Sequence, residues 1–270
     1  MAIPSIVQAI NEFKFSPTKE EILSFLKKRQ AIKKGEEVDD YILNNSKFLN
    51  VFREDDAVSQ VINKYLDRFS NIHNQTFAKH CILMRLINHR DLIPIFYEQL
   101  DLDTLQECME WFTNRDSTVC NPGAYQINPR VGFDMGYRNI RDTMVYKIPK
   151  VIDNVASALI STNKIDEATE AANQAFGGFS NFWMFQAAID ISWHRPDVMD
   201  HHSHPYMGSG SKQAVIDMTM LRNYLNENKP TEWRLFFPYD VENALCEYRK
   251  YCMRTEKGIP NNRKYERKLI

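Results

Sequence analysis

The sequence predicts a mainly α-helical protein interrupted by one long irregular segment near its middle. Three observations predict it. Glycine is scarce, at 9 of 270 residues, so few positions favour tight turns. Apolar residues recur at three- and four-residue spacing over most of the chain. No strand-then-helix alternation of the kind that builds a parallel sheet is present.

The elements follow in order. Ser16-Pro17-Thr18-Lys19-Glu20-Glu21 reads as a capped helix start, and Ile22, Leu23, Phe25 and Leu26 supply its apolar face. The helix runs over 17–33, ends in Lys27, Lys28, Arg29, Lys33 and Lys34, and stops at Gly35. Helix is expected again over 57–70 and 75–89, then as one or two short pieces over 91–112. Residues 113–142 break the pattern with Asn121-Pro122-Gly123, Pro129, Gly132 and Gly136. That stretch is expected to be a long loop with room for two short strands, and loops of that length inside a domain are usually functional. Helices resume over 144–160 and 164–175. Gly177-Gly178 turns the chain into a strongly apolar, central helix over 180–193. A polar loop, 194–210, precedes helices over 212–226 and 238–254. From Tyr251 onward the chain is expected to be basic and extended.

Composition sets the outer limits. With 43% hydrophobic and 26% charged residues, the chain can bury a sizeable core as one domain over 1–270, with two lobes of about 1–142 and 143–270 as the alternative. Phe and Tyr total 28, with 4 Trp, which suits a dense core or base-stacking surfaces. A net charge of -1 argues against a uniformly basic binder and leaves a local basic patch open. Five cysteines without CxxC spacing read as reduced thiols of a cytoplasmic protein. No run approaches about 18 apolar residues, so neither a membrane span nor a signal peptide is expected.

Five segments could carry chemistry, each with a plain alternative. In Met207-Gly208-Ser209-Gly210-Ser211-Lys212, a GxG turn opening into a helix could present N–H groups to a DNA phosphate, or be an ordinary turn. It is not a nucleotide-binding GxxxxGK[ST] loop, which argues against kinase activity. On the helix from Asp240, one face carries Asp240, Glu247 and Tyr251 while Glu242 points elsewhere. These carboxylates could serve a base pocket, or cap and solvate the helix. Arg53 beside Glu54, Asp55 and Asp56 could hold a phosphate or form an ion-pair knot. Asp200-His201-His202-Ser203-His204 lacks helical HxxxH spacing, so a solvated loop is expected and no metal. The end of the chain is basic: from Arg249 to Lys268 eight Lys/Arg face two Glu, and the tail over 252–270 is either solvated or an arm on phosphates.

In this order the segments resemble one family. The pieces are Lys47-Phe48-Leu49-Asn50-Val51-Phe52-Arg53-Glu54-Asp55-Asp56; Gly123-Ala124-Tyr125; Phe182-Trp183-Met184-Phe185-Gln186 with Asp190; Gly208-Ser209-Gly210-Ser211; and Asp240-Val241-Glu242 running into Leu245-Cys246-Glu247-Tyr248 and Lys250-Tyr251. They are similar to the amino acid:DNA transferases, or alpha-glutamyl/putrescinyl thymine pyrophosphorylases, together with the helical domain named after 5-hydroxymethyluracil DNA kinase. The hairpin differs from the family's usual GPGA.

The resemblance implies a helix-hairpin-helix, DNA-glycosylase-like fold. It implies an enzyme of bacteriophage thymine hypermodification, working in the host cytoplasm. Such an enzyme transfers an amine, from an amino acid or polyamine, onto phosphorylated or pyrophosphorylated 5-hydroxymethyluracil in DNA and displaces the phosphate. The target base would have to leave the stack. Implied roles are Asp240 or Glu247 as proton acceptor and Arg53 on the leaving phosphate. Gly208, Gly210, Ser211 and Lys212 would lie on the DNA backbone, and Tyr125, Gln186 and Asp190 in the base pocket. The amine is a co-substrate and no other cofactor is expected. DNA and a 5-hydroxymethyluracil DNA kinase are the implied partners. A base-excising glycosylase and a non-catalytic DNA-binding module are the competing readings.

Overall fold

The computed structural model of the protein describes residues 13–115, 128 and 130–257. Its helices are α1 (Lys19–Lys33), α2 (Tyr41–Asn45), α3 (Ala57–Leu66), α4 (Asn74–Ile87), α5 (Ile93–Gln99), α6 (Leu105–Arg115), α7 (Ile148–Leu159), α8 (Ile165–Phe176), α9 (Asn181–His194), α10 (Met218–Asn228) and α11 (Pro238–Lys257). Among the described residues extended pairing is confined to isolated bridges, such as the parallel one between Phe15 and Ala214. The described residues are therefore mainly helical, as the glycine scarcity and apolar periodicity predict.

The chain forms two compact units, and the division near residue 142 suggested by the sequence is not the one the packing makes. One unit contains the chain up to Asp56 and from Met207 onward; the other is Ala57–Tyr206. The chain thus leaves the first unit, builds the second, and returns.

In the first unit, α11 packs against α1, α2 and α10. Local chemistry sets the start of α1: Glu21 N donates to Thr18 Oγ1 (3.1 Å) and Thr18 N donates to Glu21 Oε2 (2.8 Å). This reciprocal pair satisfies two N–H groups that the first turn would otherwise leave bare. The face of α1 built from Ile22, Phe25, Leu26 and Ile32 then meets Val241, Leu245 and Tyr248 of α11 in one apolar cluster. At about 25 cal/mol per Å² of apolar surface, such contacts hold the N- and C-terminal stretches together. α11 continues through Tyr251 to Lys257, which corrects the expectation of an extended tail from Tyr251; the rest of the tail lies outside the described residues. The helix expected over 212–226 also differs. Ser211–Gln213 is one 3-10 turn, and α10 starts at Met218, where Asp217 caps it by accepting from Met220 N (2.8 Å).

In the second unit, α4, α7, α8 and α9 pack together. α9 is buried from Trp183 to Ser192, as expected of a helix that is apolar almost all round. The Gly177-Gly178 turn joins α8 to it, with both glycines at positive φ. The segment expected to be irregular contains, in its described part, a 3-10 turn at Phe133–Met135 and a helical turn at Ile140–Asp142. It runs into a π-turn at Thr143–Lys147 just before α7. The histidine-rich loop has a structural task. Ser203 Oγ accepts from Ile165 N (3.0 Å) and His204 O accepts from Asp166 N (3.2 Å), so the loop caps the N-terminus of α8. Among the described residues no helix is long and apolar enough to cross a membrane.

Candidate functional site

Three of the sequence segments meet in the first unit around α11. The glycine hairpin lies directly on this helix. A Cβ built on Gly210 would stand 2.8 Å from Cys246 Sγ and 3.6 Å from its Cα, so any larger residue requires the Cys246 side chain to move. Gly210→Ala should therefore cost about 1–3 kcal/mol in denaturant unfolding, through overpacking rather than backbone strain. A change within 0.5 kcal/mol would show that the hairpin stands off the helix.

The hairpin holds a carboxyl group, and it is the protein's own. Glu242 Oε1 accepts from Ser211 Oγ (2.7 Å) and from Gly208 N (3.3 Å). Gly208 O and Gly210 O in turn receive Lys212 N (3.1 Å) and Gln213 N (3.3 Å). Ser211 is fully buried, which removes it from the expected DNA backbone contacts; Ser209 and Lys212 are exposed. Glu242, read from the helical wheel as pointing elsewhere, is the carboxylate that joins the two motifs. Burial pushes its carboxyl up to about 7, against the pull of the Ser211 and Gly208 hydrogen bonds.

Asp240 and Glu247 occupy separate ion pairs. Asp240, 2% exposed, accepts from Arg234 Nη1 (2.6 Å), Arg234 Nη2 (3.0 Å) and Phe237 N (2.8 Å). The same guanidinium reaches Glu54 through Nε and Nη2 (2.8 Å) and lies 4.5 Å from the Phe52 ring. A charge knot thus exists beside Arg53, and the cation it places on Glu54 is Arg234. Arg53 itself is buried in the 3-10 turn Arg53–Asp55. Glu247 is 1% exposed and accepts from Leu49 N (2.9 Å) and Lys250 Nζ. Burial alone would raise its carboxyl. The charges of Lys250 and Arg29, with those hydrogen bonds, outweigh it and hold the group below the usual carboxylate range.

The Lys47–Asp56 segment is pinned to α11 by Leu49 N on Glu247 and by Asn243 Nδ2 donating to Asn50 O (3.1 Å). So held, it forms one wall of a cavity of about 160 Å³; the end of α1 forms the other. The lining includes Arg29, Lys33, Lys47, Ser46 and Asn50, and no carboxylate. Lys33 also pairs with Asp55 (2.7 Å), and Arg29 is 6% exposed. Pockets that enclose whole ligands run to roughly 300–1,000 Å³. This one has the size and charge for a single anionic group.

Of the remaining expected site residues, Tyr125 lies outside the described residues, with Gly123 and Ala124. Gln186 and Asp190 belong to the second unit, where both are buried on α9. Asp190 accepts from Arg85 Nε (2.5 Å) and Nη2 (2.7 Å). Sequence reasoning missed Arg234, Glu242 and the pair Arg29 and Lys33. Arg29 had a signal: it falls on the apolar stripe of Ile22, Phe25, Leu26 and Ile32, where a charge is out of place. Arg234 had none: Asp240 is six residues on, outside helical i+3 or i+4 spacing, and Glu54 is 180 residues away.

A family model described as "5-hmdU DNA kinase, helical domain" matches residues 16–234. No curated protein and no solved structure matches the chain.

Proposed function

The chain belongs to the family of the 5-hmdU DNA kinase helical domain, and from that premise we propose that it takes part in modifying 5-hydroxymethyluracil in DNA by exchanging a phosphate on the base for an amine. The observation that carries this reading is the cationic cavity between α1 and the Lys47–Asp56 segment. In the reaction a neutral amine nitrogen attacks the 5-methylene carbon, the carbon–oxygen bond breaks, the phosphate leaves with the electron pair, and the proton released from the nitrogen passes to the departing phosphate. Charge grows on the departing oxygen, where positioned cations act most strongly. Arg29 and Lys47 are assigned to that phosphate. The amine is the co-substrate, and the reading needs no other cofactor.

Asp240 and Glu247 are assigned to positioning. Their oxygens already accept from Arg234 and Phe237 N, and from Lys250 and Leu49 N. A base must first be free to take a proton. Glu247 instead holds the backbone of the pocket wall at Leu49. The engagement of these buried carboxylates also favours a second reading, in which the chain is a non-catalytic module that holds DNA for a separate kinase. A glycosylase, which needs a carboxylate facing the sugar, receives no such support.

Mass spectrometry of nucleosides separates these readings. DNA carrying 5-phosphomethyluracil is incubated with the protein and a mixture of amino acids and polyamines. Wild type is expected to yield an amine-bearing nucleoside, and Lys47→Ala to lower its formation about tenfold, less than the roughly 10²-fold scale of a group in a water-excluded site because Lys47 is exposed. Intact substrate recovered from a protein that binds the DNA supports the module. Abasic sites would support the glycosylase.

A further inference from the structure

The second unit carries an exposed aromatic surface that its own packing does not use. The turn after α8 runs through three residues at positive φ: Gly177 (91°), Gly178 (92°) and Phe179 (60°). Glycine accepts this conformation, whereas a bulky side chain in it is strained. A native structure keeps such strain where something else repays it. Burial does not, since the Phe179 ring is 48% exposed. The turn is nevertheless held in place. Asn173 Oδ1 accepts from Ser180 N (2.8 Å) and Ser180 Oγ (3.1 Å), and Asn173 O accepts from Gly178 N (2.8 Å).

This turn sits against the loop that follows Arg130. A Cβ on Gly177 would stand 2.3 Å from Asp134 Oδ2, and the Arg130 guanidinium lies 6.0 Å from the Phe179 ring. Asp134 is anchored by Lys147 Nζ, which also donates to Val131 O (2.7 Å) and sits 4.2 Å from the Phe176 ring. The chain neighbours of this pair are Phe133, 50% exposed, and Tyr146, 43% exposed and 6.0 Å from Tyr137. The segment 130–150 carries five Lys/Arg against two Asp; Asp134 and the buried Lys147 neutralise each other, which leaves Arg130, Arg138, Arg141 and Lys150 against Asp142. Arg130, Arg138 and Arg141 are exposed.

Exposed rings interleaved with arginines are what unpaired nucleic acid requires. Bases stack on the rings and phosphates meet the guanidinium groups. A protein partner would meet the same rings, but the surplus of positive charge favours a polyanion. We propose that this face of the second unit, centred on Phe179 with Phe133, Tyr146, Arg130 and Arg138, binds unpaired bases of the DNA substrate. It rests on the reading that the chain works on DNA, and assigns the stacking surface to residues outside the glycine hairpin.

Fluorescence anisotropy of the full chain with a labelled single-stranded oligonucleotide containing 5-hydroxymethyluracil tests it, over a series of salt concentrations. Phe179→Ala is expected to weaken binding about tenfold, the loss of one stacked base. Phe179→Gly should weaken it equally while Tm stays level or rises, because glycine relieves the positive-φ strain. A purely structural role for the ring cannot produce that combination. Arg138→Ala should lower the slope of log affinity against log salt by about one. Wild-type affinity in Phe179→Gly and Arg138→Ala, with the parent protein binding DNA, overturns this surface and leaves the DNA reading standing. No binding by the parent protein to single- or double-stranded DNA overturns both. Unchanged DNA affinity with weakened self-association on sedimentation assigns the rings to a protein contact and also overturns the proposal.

Discussion

Asp190→Ala is expected to lower the unfolding free energy of the second unit by about 3–5 kcal/mol, the cost of breaking a buried ion pair from one side. The side chains of Arg85 and Asp190 are 1% and 2% exposed. Beyond the two bonds to Asp190, the guanidinium donates to Ser59 Oγ (3.1 Å) and Asn88 Oδ1 (3.3 Å). Asn88 also ends α4 in the left-handed region, at φ 41°, so the network ties the end of one helix to α3 and α9. Removing the carboxylate leaves a cation among neutral oxygens in a low-dielectric interior. Replacing both partners by apolar residues, Arg85→Met with Asp190→Leu, should recover much of the loss, because no charge then stays buried. Urea unfolding followed by tryptophan fluorescence reads the effect. Trp183 lies in the same unit, with its indole N–H on Ile82 O (2.8 Å). A single-variant loss below about 1 kcal/mol would mean that the guanidinium is hydrated.

Glu242→Gln should make the protein more stable above pH 7 by about 3 kcal/mol and leave it unchanged near pH 4. The native carboxyl titrates at about 7 and the unfolded one near 4.5, so between those values the native state binds the extra proton. Stability from this group is complete below about 4.5, falls as pH rises, and levels off above about 7. The total follows at about 1.4 kcal/mol per pH unit of that window. Glutamine can still accept from Ser211 Oγ and Gly208 N and cannot charge. Glu247 runs the other way: held low by Lys250 and Arg29, it adds stability above its unfolded titration that is lost as pH falls. The difference between variant and parent across pH therefore isolates Glu242. A difference that does not vary with pH would show that the carboxyl beside the hairpin titrates normally and is reached by water.

Both predictions concern residues that the sequence brings to notice without placing. The capping signal Thr18 to Glu21, the stop at Gly177 and the apolar run of α9 act within a few residues, and they appear where local chemistry puts them. The helical wheel of α11 separates Glu242 from Asp240 and Glu247 but does not say which face is buried, because that helix is buried on most of its circumference. Asp240, Glu242 and Glu247 are all inside it, so no single face is the buried one. The turn at Gly208–Ser211 is legible as a turn. That it wraps a carboxylate of the same chain is not, since Glu242 is 31 residues beyond Ser211.

The sequence by itself determined the helical class and several helix starts and stops, because capping and periodic burial are decided over one or two turns. Only the tertiary structure decided the partition into units, the cationic cavity beside Glu247, and which acid meets which base. Those depend on pairs such as Glu54 with Arg234, which lie far apart along the chain and meet only when the elements that carry them pack. Local pattern carries no record of that distance.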